Sequence, residues 1–115
     1  MIKIRKEGQD IILSLFQLNK INILFSDQIG EQLKKLVEIP GSRILFDIQN
    51  IIFIDSTGFG MLIGIGELAC KNSSEFILCN PSQEVVELFN LLDVRERLTT
   101  SVMDVVGESL LLEVE

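Results

Sequence analysis

The chemistry-bearing residues of this sequence gather at Asp55-Ser56-Thr57-Gly58, where a carboxylate and two hydroxyls stand side by side ahead of a glycine. Such a cluster can cap a helix, a side-chain oxygen accepting from the orphan N–H groups of the first turn. Alternatively it can supply a nucleophile. The second use needs a base, and the chain contains no histidine, which removes His-based triads, Cys–His pairs and the commonest transition-metal ligand together. Asp55-Ser56-Thr57-Gly58 has one residue more than the Asp-[Ser/Thr]-Gly of aspartic proteases, and no second copy completes a carboxylate dyad. There is no Gly-x-Ser-x-Gly elbow, and Gly58, Gly60 and Gly64 lack the Gly-Lys-[Ser/Thr] end of a P-loop. Cys70 and Cys79 are too few for a structural zinc site. The expectation is a non-enzymatic chain with no cofactor and no metal, whose Asp55 or Ser56 caps a helix.

The flanking residues show what positions that cluster. Ile44, Leu45 and Phe46 form a short apolar run suited to a strand buried on both faces, and it ends at Asp47. An apolar cluster, Ile51 to Ile54, leads into the hydroxyl-rich turn. Beyond it Phe59, Met61, Leu62, Ile63, Ile65 and Leu68 supply the apolar surface of a helix over Gly58–Cys70. That helix carries Gly58, Gly60, Gly64 and Gly66, each costing on the order of 1 kcal/mol relative to alanine in a helix interior. Close packing against the sheet is the expected compensation, with Gly60 and Gly64 on one face. A membrane-dimer reading of the same spacing fails, because the uncharged stretch from Ser56 to Gly66 is too short to cross a bilayer.

Taken from its start, the chain alternates apolar and basic residues over Ile2–Arg5, as a half-exposed edge strand does. Gly8-Gln9-Asp10 supplies a turn into a second strand, Ile11–Leu18. Ser26 is placed to cap a helix with Ile29, Leu33, Leu36 and Val37 on one stripe, ended by Pro40-Gly41. After the central stretch, Lys71–Ser74 is a polar turn and Glu75–Asn80 a buried strand. Pro81-Ser82 starts a helix with Val85, Leu88, Phe89 and Leu92 inward. Leu98–Thr100 suits a last short strand, and Ser101 to Asp104 fits a capping box for a closing helix. Strands alternating with helices after a hairpin give an α/β domain with a mixed sheet.

At 115 residues the chain is one domain, residues 1–115, large enough for a core. A hydrophobic fraction of 47% fits a globule. The net charge of −7 argues against nucleic acid, whose binding requires neutralising phosphates. No apolar run approaches transmembrane length and the start lacks a signal-peptide core, so no membrane insertion and a cytoplasmic location are expected. Cys70 and Cys79 are expected as buried, reduced thiols.

The string Phe46-Asp47-Ile48-Gln49-Asn50-Ile51-Ile52-Phe53-Ile54-Asp55-Ser56-Thr57-Gly58-Phe59-Gly60 resembles the signature of STAS domains, the family of bacterial anti-sigma factor antagonists. Its form there is an apolar strand ending in Asp, a loop, then Phe-x-Asp-Ser-[Ser/Thr]-Gly-x-Gly opening a helix. The order and length of elements agree over nearly the whole chain. The resemblance implies one STAS-like α/β domain, its mixed sheet of about four to five strands accompanied by about four helices. It also implies phosphorylation of Ser56, with Thr57 as the alternative acceptor, and a partner surface at Asn22, Asp55, Ser56, Thr57, Gly58 and Phe59. Asn22 stands in Asn19-Lys20-Ile21-Asn22 where the family has Gly-x-Leu-Asp; asparagine at 19 tolerates the left-handed backbone a glycine permits. The implied partners are an ATP-dependent anti-sigma factor serine kinase, bound when Ser56 is unmodified, and a serine phosphatase acting on the phospho-form. The same signature also fits a STAS subunit regulating a transporter or signalling assembly, or a small-ligand sensor with a pocket beside the glycine-rich helix.

Overall fold

The computed structural model describes residues 1–92. The elements are β1 (Ile2–Glu7), β2 (Asp10–Leu15), β3 (Lys20–Ile21), α1 (Ser26–Val37), β4 (Arg43–Asp47), β5 (Phe53–Ile54), α2 (Ser56–Lys71), β6 (Glu75–Cys79) and α3 (Gln83–Leu92). The expected strand at Leu98–Thr100 and the closing helix after Ser101 lie outside the described residues.

β1, β2, β4 and β6 form a four-stranded sheet in that order, while β3 and β5 pair separately. β1 runs antiparallel to β2, and β2, β4 and β6 run parallel. The sheet is therefore mixed, as the alternation of strands and helices required. Gly8, with φ +63°, opens the two-residue turn between Glu7 and Asp10, a conformation glycine takes without steric cost. β2 stops three residues short of its expected end. Phe16 is exposed, and the left-handed residue before β3 is Gln17 (φ 60°), not Asn19.

Period-two alternation divides β4 between two cores. Ile44 and Phe46 join Leu13, Leu15, Phe76 and Leu78 against the helices, where Ile29, Leu33, Leu62, Val85 and Phe89 complete the main cluster. Phe46 and Phe76 stack with centroids 6.4 Å apart. Leu45 faces the other way with Ile77 and Cys79, and Ile12 packs beside them. Both faces of β4 are thus buried, which explains its unbroken apolar run.

Helix ends show where local reading succeeded and where it did not. Ser82 caps α3, its Oγ accepting from Val85 N at 3.2 Å. Ser26 does not cap α1: the N-cap is Phe25, without a side-chain bond. The Asn22 carbonyl already accepts from both Phe25 N and Ser26 N, so a turn runs ahead of the helix and carries Ser26 into its first position. At the other end of α1, the Ser42 hydroxyl lies 3.0 Å from the Leu36 carbonyl and 2.8 Å from that of Ile39. Ser74 Oγ approaches the carbonyls of Val37 and Ile39, each at 2.9 Å. Leu36 and Val37 lie in the last turn of α1, where carbonyls lack their full intrahelical donors, and Ile39 lies just beyond it. Neither cysteine is disulfide-bonded; Cys79 is buried as expected, but Cys70 is exposed.

Candidate functional site

β4 carries the chain to Asp47, the β5 segment turns it back under α2, and the polar cluster emerges where α2 begins. Asp55 is the N-cap. Its Oδ1 accepts from Gly58 N at 3.0 Å and from the Thr57 hydroxyl. Its Oδ2 accepts from Ile23 N at 3.1 Å, in the loop ahead of α1. One carboxylate therefore joins the start of α2 to a turn 32 residues earlier in the chain. The Thr57 hydroxyl holds the Asp55 carboxyl below its ordinary value; partial desolvation opposes this, and the N–H groups of Gly58, Ile23 and Thr57 lower it further. Asp55 is consequently an anion, and a pure acceptor, throughout the neutral range.

Thr57 has no spare hydrogen: it donates to Asp55 and accepts from Ser26 Oγ at 3.4 Å. Ser26 is 4% exposed, the one buried polar side chain among the described residues, and this bond is what its hydroxyl finds in place of a helix cap. Ser56, between Asp55 and Thr57, is different. It occupies the first helical position, is exposed, and its hydroxyl makes no hydrogen bond among the described residues. Ser56 and Thr57, equivalent by residue type, are separated by their bonding.

Asn22 is half-buried and bonds within its own turn, Oδ1 accepting from Leu24 N at 3.0 Å. The structure brings it to Asp55 through Ile23. Two residues expected at a partner surface need correction. Phe59 is 3% exposed and meets Phe89 edge-on at 5.5 Å, so it belongs to the core. Gly58 is buried: a Cβ there would meet Ile54 Cγ2 at 2.7 Å and the Ile21 carbonyl oxygen at 2.9 Å. The glycine that lets α2 lie against neighbouring structure is thus Gly58. Gly60 and Gly64, expected in that role, are exposed with nothing within 4 Å of an added Cβ. The β3–β5 ladder lies against the first turn of α2, where this close approach occurs.

Sequence reasoning missed Ile23 and Leu24, which are 69% and 75% exposed on the turn that Asp55 and Asn22 hold. The available signal was a pair of adjacent aliphatics outside any periodic pattern. Among the described residues no group of acidic, cysteine or histidine side chains could hold a metal ion, and no helix is long and apolar enough to cross a membrane.

A mixed sheet with its described helices packed into one core, and with hydroxyls collected at one helix N-terminus, defines a small α/β domain whose distinctive surface is a helix end. The chain belongs to the STAS domain family, whose model matches residues 3–109. Among solved structures it is similar to an anti-sigma-factor antagonist (STAS) domain protein from Planctomyces limnophilus, with 18% identity and TM-score 0.72 over 92% of this chain and 91% of that one. It is similar also to the Bacillus cell fate determinant SpoIIAA in its phosphorylated form, at 18% identity and TM-score 0.64 over 93% of each chain. A putative anti-sigma factor antagonist of Thermotoga maritima, TM1081, matches at 19% identity and TM-score 0.66, over 83% of this chain and 80% of that one. At these identities the likeness is one of fold.

Proposed function

We propose that this chain is an anti-sigma factor antagonist that binds an anti-sigma factor serine kinase through the α2 N-terminus, and that phosphorylation of Ser56 breaks the complex. The observation that carries the reading is the contrast between neighbouring hydroxyls: Ser56 is exposed and unbonded, while Thr57 is held between Asp55 and Ser26. In the reaction the γ-phosphoryl of the kinase's ATP passes to Ser56 Oγ, the hydroxyl proton leaves and ADP departs. The product carries about −1.5 to −2 charges at neutral pH. The helix dipole and free N–H groups accommodate that charge, so the domain stays folded. The ionised Asp55 beside it adds to the negative field that a partner meets. Ile23 and Leu24 supply apolar contact on the same surface, and their burial by a partner brings the phosphate into the interface. A serine phosphatase restores the unmodified form.

Site-localising mass spectrometry after incubation with ATP, Mg²⁺ and the anti-sigma factor kinase tests the reading. Phosphate is expected on Ser56 and absent from Ser56→Ala. Phosphate confined to Thr57 would contradict it.

A further inference from the structure

An N-cap needs one side-chain oxygen, and asparagine or serine supplies it as well as aspartate does. Asp55 uses two. Oδ1 accepts from Gly58 N and the Thr57 hydroxyl and so caps α2, whereas Oδ2 accepts from Ile23 N, outside the helix, at 3.1 Å. An amide or a hydroxyl has no second acceptor atom for that bond. The turn held by Oδ2 carries Ile23 and Leu24, among the most exposed large apolar side chains of the described residues. Hydrogen bonds, not packing, fix their backbone. Leu24 N donates to Asn22 Oδ1 at 3.0 Å, and Phe25 N and Ser26 N donate to the Asn22 carbonyl at 2.9 and 2.8 Å. With Ile23 N on Asp55, four successive N–H groups all have acceptors. The bonds of Leu24, Phe25 and Ser26 end on Asn22 and shape the turn; that of Ile23 ends on Asp55 and sets where the turn stands against α2. Exposed aliphatic side chains on a backbone held this way are a preformed contact, because a partner that buries them does not also have to order the turn.

We infer that Asp55 is a positioning residue for the partner contact: through Oδ2 it holds Ile23 and Leu24 where an apolar hollow on the anti-sigma factor kinase takes both side chains at once. The inference rests on the kinase reading above. It divides two duties between the oxygens of one side chain, Oδ1 keeping the helix start and Oδ2 keeping the contact. It also gives a reason for aspartate at a position where asparagine would cap equally well. The net charge of −7 and the ionised carboxylate on this surface make a second copy of the chain, or an anionic membrane, the poorer occupant. The residue that orders the apolar pair is the immediate neighbour of Ser56, so a phosphate there is set at the edge of the same contact.

Amide hydrogen exchange of the free full chain, with calorimetry against the anti-sigma factor kinase, tests the inference on three variants. They are Asp55→Asn, the pair Ile23→Ala with Leu24→Ala, and all three changes together. In Asp55→Asn the remaining oxygen still caps α2, so the Gly58 amide should stay protected while the Ile23 amide exchanges at least about tenfold faster. Kinase affinity should fall at least about tenfold in Asp55→Asn and in the alanine pair. Because both act on one contact, the triple variant should bind within about twofold of the alanine pair. Fully additive losses would show that Asp55 meets the kinase directly and would overturn the positioning role, as would an Ile23 amide unchanged in Asp55→Asn. Variants that all bind like the wild type overturn it too, and the kinase reading then survives. A wild-type chain that does not bind the kinase overturns that reading, and this inference with it.

Discussion

At the C-terminal end of α1 the hydroxyls of Ser42 and Ser74 lie against the carbonyls of Leu36, Val37 and Ile39. At the N-terminal end of α2, Ser26 and Thr57 are chained to Asp55 while Ser56, in the same turn, has no partner among the described residues. The residue type is the same at both helix ends, and the use differs. At the first, the hydroxyls add donors to carbonyls at and just past the helix end, of which Leu36 and Ile39 also accept a backbone N–H. At the second, Asp55 already caps the helix through Gly58 N, and the Ser56 hydroxyl is left over. A hydroxyl free of structural duty can change its chemistry without cost to the fold, which is the property a modification site needs.

Four substitutions break or sharpen that contrast. The largest effect is expected from Gly58→Ala. The added Cβ would press on the Ile21 carbonyl oxygen at 2.9 Å, and backbone cannot move aside cheaply. A loss of about 1–3 kcal/mol should appear as a lower denaturant midpoint. A midpoint at or above the wild type's would mean that α2 does not sit as close to the β3–β5 ladder as described.

Next comes the double replacement Ser42→Ala with Ser74→Ala, which removes the hydroxyl donors to the Leu36, Val37 and Ile39 carbonyls and should cost about 1–2 kcal/mol by the same measurement. If it were neutral, the two poles would not differ in the way proposed.

Asp55→Asn follows, at about 0.5–2 kcal/mol for a weakened cap and a lost tie to Ile23. It also has a pH signature. The Asp55 carboxyl titrates below its ordinary value in the folded chain, held down by the Thr57 hydroxyl first of all. Its contribution is therefore complete above the unfolded value and is lost as pH falls through the lower, folded one. Wild type and Asp55→Asn should differ most above pH ~4 and converge on acidification below that. A difference that grew with acid would show that the carboxyl is not held down by its donors.

The smallest effect belongs to Ser56→Ala. Since Asp55, not Ser56, is the cap, stability should stay within about 0.5 kcal/mol of the wild type. A loss as large as that of the Ser42/Ser74 pair would mean that the Ser56 hydroxyl is structural after all.

Much of this arrangement was legible in the sequence, and the misreadings share a cause. β4 announced itself through an apolar run bounded by Arg43 and Asp47, and α2 through the change of polarity at Asp55. Residue type alone allowed either Asp55 or Ser56 to cap; the choice turns on backbone geometry. Ser26 looked like a cap because its true partner, Thr57, is 31 residues away in the chain. The spacing of Gly60 and Gly64 indicated close packing, but only the position of the β3–β5 ladder shows that Gly58 is the crowded one. Ser42 and Ser74 gave no signal, since their carbonyl partners belong to a helix end assembled by the fold. Phe59 could have faced a partner or the core, and Phe89 settles it. Contacts between neighbours in sequence were readable; those that depend on chain crossing were not.

The central claim is that Ser56 can change charge while the domain stays folded. The most direct test installs phosphoserine at position 56 during synthesis and compares that chain with wild type and Ser56→Ala by calorimetry against the anti-sigma factor kinase, with denaturant melts alongside. The account predicts that wild type and Ser56→Ala bind alike, and that phosphoserine weakens binding at least about tenfold. The unfolding free energy should remain within about 0.5 kcal/mol of wild type. Equal affinity for all three forms, or loss of binding accompanied by loss of the folded transition, would contradict it.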